Sequence, residues 1–114
     1  MLLKNYQQYY IYIVTNPEKK VLYIGVTNNI EQRLIEHWVN RGHQKTFAGR
    51  YYCYNLLHYE EFQYISDAIA REKELKGWRR QKKIDLILTI NPGLIFLNDT
   101  VCNGWPPKEI TNRL

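Results

Sequence analysis

Cysteine is scarce in this chain, with only Cys53 and Cys102 among 114 residues. Two thiols so far apart in sequence support neither a disulfide framework nor a zinc knuckle. No apolar run approaches the roughly 18 residues that a membrane helix needs. No signal-peptide pattern opens the chain, so the expected location is the cytoplasm, with no membrane partner. Internal repeats, low-complexity stretches and interior linkers are missing as well. What is abundant excludes disorder: ten Tyr, three Trp and three Phe in a chain that is 45% hydrophobic. A chain of this length hides roughly 65% of its unfolded surface, enough for one core without metal or disulfide staples. The expected organisation is one domain over residues 1–98, followed by an irregular tail over 99–114.

The net charge of +5 is concentrated in one place. Residues 71–83 (REKELKGWRRQKK) hold seven Lys or Arg against two Glu, and the rest of the chain is balanced. Such a footprint fits a surface facing phosphates. It equally fits a solvated helix face.

Residues 9–14 (YYIYIV) and 21–26 (VLYIGV) are β-branched and aromatic and flank a turn-like TNPEKK segment. They predict an antiparallel hairpin. Period two puts Tyr10, Tyr12 and Val14 on one face of the first strand, with Tyr9, Ile11 and Ile13 on the other. A register that pools Ile11, Ile13, Leu22 and Ile24 also brings Tyr12 and Tyr23 together. The face bearing those hydroxyls is therefore a candidate site.

A helix is expected from Asn28, with Glu31 at capping-box spacing and Ile30, Leu34 and Trp38 as its apolar stripe. Arg33 and His37, four apart, border that stripe and can reach over the sheet. Residues 41–54 read as a loop and 55–62 (NLLHYEEF) as a third strand. A second helix is expected from Ser66 or Asp67 to about Trp78, with Ala68, Ile69 and Leu75 facing inward. Helical phase places Glu72 among them and turns Glu74 away. An inward carboxylate is costly unless paired or metal-bound. A third helix over about 80–90 closes at Asn91-Pro92.

Tyr12, Tyr23, Arg33, His37 and Glu72 supply the parts for metal-assisted phosphodiester hydrolysis. One carboxylate suffices for Mg²⁺, which keeps several waters and takes its remaining ligands from substrate phosphate. Arg33 would neutralise charge that builds in the transition state. A Tyr or His would take the proton from the attacking water.

Tyr10-Ile11-Tyr12 and Tyr23-Ile24-Gly25, eleven residues apart from Tyr to Tyr, resemble the name motif of the GIY-YIG nuclease superfamily. More closely, the chain resembles the small single-domain UPF0213 subgroup. The leading Gly is replaced by Tyr10. Arg33 and His37 in IEQRLIEH match the family's first helix, Glu72 in AIAREKELKGW its metal-binding Glu, and Asn91 in INP the polar residue after its last helix. The resemblance covers about residues 8–93. It implies an α+β fold: a three-stranded antiparallel sheet flanked by helices, with one divalent metal (Mg²⁺ or Mn²⁺) on Glu72. It further implies a DNA endonuclease, from a superfamily that includes DNA-repair enzymes, leaving a 5′-phosphate and a 3′-hydroxyl; RNA stays open as a substrate. Asn91 and the basic residues Lys76, Arg79, Arg80, Lys82 and Lys83 are the expected nucleic-acid contacts, and a homodimer is one option for assembly.

Each residue also has a plainer reading. Glu72 could be an ion-pair partner of Arg33, Tyr12 and Tyr23 packing residues, and Asn91 a helix cap. Tyr has a pKa of about 10, so its use as a base needs nearby positive charge; His37 is the rival, and the choice stays open. Tyr51, Tyr52 and Tyr54 fit base stacking as well as an apolar cluster. His43, His58, Cys53 and Cys102 read as structural or surface residues. A catalytically weak or inactive nucleic-acid-binding module of the same fold is the alternative function, and an accessory protein docking an acidic partner is a weaker one.

Overall fold

Residues 9–15 carry large apolar side chains at both parities, and the strand they form is covered on both faces. The computed structural model describes residues 8–108. Its elements run β1 (Tyr9–Thr15), β2 (Leu22–Thr27), α1 (Ile30–Val39), α2 (Phe47–Arg50), β3 (Asn55–Phe62), α3 (Ile65–Lys76), α4 (Arg80–Ile90) and α5 (Asn98–Cys102). The strands form one antiparallel sheet in the order β2-β1-β3. β1 is thus the centre, and its two parities feed two cores.

On one face Ile11, Ile13, Ile24 and Leu57 pack against Ala68 and Leu75 of α3 and Ile87 of α4. On the other, Tyr12, Val14 and Leu56 pack against Ile30 and Leu34 of α1, Ala48 of α2 and Cys53, with Val101, Cys102 and Trp105 alongside. The result is an α/β/α sandwich with a three-stranded filling. None of the described helices is long and apolar enough to cross a membrane.

The hairpin register pairs Tyr12 with Gly25 and Val14 with Tyr23. Residues opposite one another share a face, so Tyr12 and Tyr23 lie on the α1 side, diagonally adjacent. Asn16 closes the turn: its Oδ1 accepts from the backbone N–H of Lys20 at 2.8 Å and of Val21 at 3.0 Å.

Several boundaries differ from the sequence expectations. The cap of α1 is Asn29, one residue later than expected; its side chain accepts from the Gln32 backbone N–H at 3.0 Å. The expected loop over 41–54 contains α2, a single turn capped by Thr46 Oγ1 on the Gly49 N–H. α3 starts at Ile65 and ends at Lys76, without a side-chain cap. Ile69 is exposed rather than inward. The tail expected to be irregular carries α5, anchored by the buried Asn98, whose amide accepts from the Leu56 N–H and donates to the Tyr54 carbonyl. Tail residues 109–114 lie outside the described residues.

Candidate active site

The site forms where α1 crosses the hydroxyl-bearing face of the hairpin. The Tyr12 ring lies flat over Gly25, at which a Cβ would collide with its Oη and Cζ atoms. Glycine is needed here for space, since its φ is ordinary. The ring therefore runs across β2 and delivers its hydroxyl to α1, where it meets His37 Nε2 at 2.9 Å and accepts from Arg33 Nη1 at 3.4 Å. Arginine only donates, so the phenol oxygen accepts from Arg33, while the direction of its bond with His37 follows the imidazole tautomer.

Tyr12, Tyr23 and His37 make an aromatic triangle, with ring centroids 6.4 Å apart for the tyrosines and 5.6 and 5.7 Å from each to His37. Burial pushes the Tyr12 phenol well above its ordinary pKa, although the Arg33 charge opposes the shift. Burial, aided by Arg33, lowers His37 to about 4, so its imidazole is neutral at pH 7.

Tyr12 has no solvent-exposed surface. It does not line the hollow of about 200 Å³ beside it, whose walls include Tyr23, Arg33, Glu36, His37, Thr46 and Phe47. Tyr12 stands behind the hollow and holds two of its walls. Arg33 Nε pairs with Glu36 at 3.0 Å and Nη1 with Tyr12. Among the described residues nothing hydrogen-bonds its Nη2 or the Tyr23 hydroxyl, so both are available inside the hollow. A larger hollow of about 430 Å³ lies at the other end of α1, but Glu31 and Glu61 line it and give it the wrong sign for a phosphate.

Glu72 comes from α3, in the opposite layer, yet its charge is felt at the Tyr12 hydroxyl. Tyr12 reaches over the edge strand β2, and Glu72 itself does not line the hollow. Glu72 sits at the border of the buried stripe formed by Ala68 and Leu75, half-buried rather than central as the helical phase implied. Its partner is Lys76 at 3.0 Å, not Arg33. The described residues contain no group of three His, Cys, Asp or Glu suited to a metal. A lone half-buried carboxylate fits a hard divalent cation that keeps most of its waters, and does not fit a transition metal caged by protein.

Asn91 is not part of this arrangement. It is buried beside β3, across the sheet from β2, where its Nδ2 donates to the Leu57 carbonyl at 3.1 Å and the Ile95 carbonyl at 2.9 Å. Its Oδ1 accepts from the Ile95 N–H at 3.1 Å. These bonds hold the chain that follows α4, and Asn91 does not line the hollow.

The basic stretch also divides. Arg71 forks onto Glu60 at 2.8 and 3.0 Å and reaches Glu74 at 2.9 Å, while Lys76 is held by Glu72. Lys82 lies 4.3 Å from the Trp78 ring centroid. Arg80 reaches across to the Lys19 carbonyl at 3.3 Å, which joins the start of α4 to the hairpin turn. Lys19 of the hairpin turn thereby lies beside the start of α4, a neighbour invisible to a count over 71–83. Phe47 was missed too: its ring stacks on Tyr23 at 6.1 Å and forms one wall of the hollow. Only the aromatic content of the 41–54 segment hinted at it.

Residues 8–85 match the family model described as the GIY-YIG catalytic domain. A UPF0213 protein of Staphylococcus saprophyticus is 39% identical over 80 residues, which cover 70% of this chain and 94% of that protein. A UPF0213 protein of Haloquadratum walsbyi is 38% identical over 78 residues, covering 68% and 84%. The solution NMR structure of a UPF0213 protein from Bacillus halodurans superposes with a TM-score of 0.47 at 26% identity, over 74% of this chain and 86% of that one.

Proposed function

The chain belongs to the GIY-YIG nuclease superfamily, in its UPF0213 subgroup, and from that premise we propose that it is a divalent-metal-dependent endonuclease acting on DNA. The observation that carries this reading is the hollow itself. It holds a guanidinium with a free donor, a phenol with a free hydroxyl and a neutral imidazole within one small volume.

Glu72 is the residue that would hold Mg²⁺ or Mn²⁺, and such an ion supplies charge neutralisation at a phosphate oxygen and lowers the pKa of a bound water. Arg33 Nη2 contacts a non-bridging phosphate oxygen and is worth most when the phosphorane charge builds up. Tyr23 lines the hollow with its hydroxyl unspent, whereas Tyr12 does not line it and His37 Nε2 is engaged by Tyr12. The Tyr23 oxygen is therefore assigned the attacking water's proton as its own O–H proton passes to solvent. Tyr12 is a positioning residue: it fixes the His37 ring through its hydrogen bond with Nε2 and steadies Arg33 by accepting from Nη1. In-line attack of that water on phosphorus, with the departing 3′ oxygen taking a proton from solvent, then gives a 5′-phosphate and a 3′-hydroxyl.

The Glu72→Gln variant tests this. The Glu72–Lys76 pair is an i,i+4 pair at a half-exposed site and contributes only about 0.3–0.5 kcal/mol, so the variant should fold and bind DNA as the parent does. Its Mg²⁺-dependent nicking should be lost, while Glu74→Gln, on the exposed side of α3, should cut normally. A Glu72→Gln protein that cuts at the parental rate in matched Mg²⁺ rules out the metal assignment. A parent that cuts neither DNA nor RNA with Mg²⁺ or Mn²⁺ leaves the binding-module reading.

A further inference from the structure

Phe47 is half exposed although its neighbours Ala48 and Gly49 are buried. Its ring continues the site outward: it lies near-parallel to Tyr23, at 24°, and is followed by Tyr51 at 4.8 Å. Tyr51 is itself 43% exposed. A stair of three rings thus leads from the hollow to the surface.

The turn that carries the stair is tied down by hydrogen bonds. The Thr46 side chain caps α2, the Cys53 N–H binds the Ala48 carbonyl at 2.9 Å, and the Gly42 N–H binds the Gly49 carbonyl at 2.8 Å. A Cβ at Gly49 would strike the His43 and Asn40 carbonyls, so the turn is pressed against the segment after α1. Arg50 ties its guanidinium to the Gln44 carbonyl at 2.9 Å, and exposed Lys45 stands beside the same turn. An apolar cover for Tyr23 would need neither a second exposed ring nor flanking cations. Rings stepping away from a phosphate-binding guanidinium, with positive charge at their side, are the recurring design for holding a single strand by its bases.

We propose that Phe47 and Tyr51 are a stacking platform for an unpaired base next to the phosphate held by Arg33, and that the substrate is single-stranded or frayed DNA. The inference rests on the nuclease reading for the place of the phosphate, and it deepens that reading by naming the substrate class. A base inside a duplex has both faces covered and would have to be unstacked and unpaired before it could lie on Phe47. A single strand offers its faces directly.

The test uses the full chain in EDTA, so that binding is read without cleavage. The probe is a short single-stranded DNA carrying 2-aminopurine at successive positions, compared with the same strand in a duplex. The parent should quench one or two adjacent positions strongly and bind the single strand at least tenfold more tightly than the duplex. Phe47→Leu keeps an apolar cover over Tyr23 but has no ring to stack; it and Tyr51→Leu should each weaken single-strand binding on the order of ten- to a hundredfold and abolish the quench. Parental affinity and quench in Phe47→Leu would overturn the platform and make Phe47 a lid over Tyr23. Adding Mg²⁺ separates the two claims. A protein that quenches 2-aminopurine but cuts nothing keeps the platform and loses the nuclease. One that cuts duplex as fast as single strands, unaffected by Phe47→Leu, keeps the nuclease and loses the platform.

Discussion

The aromatic ring of Tyr12 fills the space that any side chain at Gly25 would occupy. This single packing relationship sets how far the Tyr12 hydroxyl travels across the sheet, and so whether it meets Arg33 and His37 at all. Gly25→Ala should force the ring off its seat, costing about 1–3 kcal/mol as an overpacked core does. The measurable result is a lower unfolding midpoint together with changed imidazole resonances for His37, which lies on α1 rather than in the hairpin.

Arg33 spends one nitrogen on Glu36 and one on Tyr12, both at a partly exposed position. Arg33→Ala should lower the single-turnover cleavage rate on the order of 10²- to 10³-fold, the usual consequence of losing a transition-state donor. The unfolding midpoint should move by only a few degrees. A rate restored simply by working at low temperature would show a structural ion pair instead.

His37 supplies a pH signature. Its conjugate acid is held at about 4 by burial and by the Arg33 charge, against an unfolded value near 6.5. The unfolded chain therefore binds this proton first as pH falls. The contribution to stability is complete above pH 6.5 and drains away between about 6.5 and 4, by up to about 3 kcal/mol. His37→Gln should flatten the stability profile across that window in urea titrations.

The basic surface should split by mutation as it splits in the structure. Changing Arg79, Arg80, Lys82 and Lys83 together to Gln should weaken DNA binding and lower the salt slope by roughly 0.7–0.9 for each phosphate that is no longer neutralised. Arg71→Gln should act on the fold instead. Burial pushes the Glu60 carboxyl up, but the Arg71 fork and His58 more than offset it and hold it below its usual pKa. Removing Arg71 leaves that carboxylate beside buried His58 without its fork, at a cost of about 1–3 kcal/mol at neutral pH. The cost should shrink as pH falls through the carboxylate range. An unchanged salt slope in Arg71→Gln would confirm that this guanidinium does not touch DNA.

Most of the architecture is legible in the residue pattern, and the misses have identifiable causes. The β-branched and aromatic runs at 9–14 and 21–26 announce the hairpin, and Asn-Pro after Ile90 marks the end of α4 where it falls. The turn at 47–50 escapes because four residues are too few for a period; only Thr46 at capping distance from Gly49 signals it. Glu72 is placed on the right helix by phase, but phase counts Ile69 as inward, and only tertiary packing shows that Ala68 and Leu75 are the stripe. Tyr12 and Tyr23 look equivalent in sequence. Their separation into one ring behind the hollow and one inside it depends on α1 crossing the hairpin, a non-local event. The bonds of Asn91 to Leu57 and Ile95 are hidden from the sequence for a similar reason: they form only when the chain folds back after α4.

The placement of β1 at the centre of the sheet has a consequence for how the molecule opens. Ile11 and Ile13 are locked in one core, Tyr12 and Val14 in the other, and every backbone position between them is flanked by a strand on each side. No local fluctuation can release Tyr12 without dissolving both layers. Amide hydrogen exchange along β1 should therefore proceed only through complete unfolding, at a rate set by global stability. The walls contributed by α2, on a single turn at the surface, belong to a much faster exchange class. The molecule combines an anchor that is either intact or gone with a mouth whose amides exchange without global unfolding.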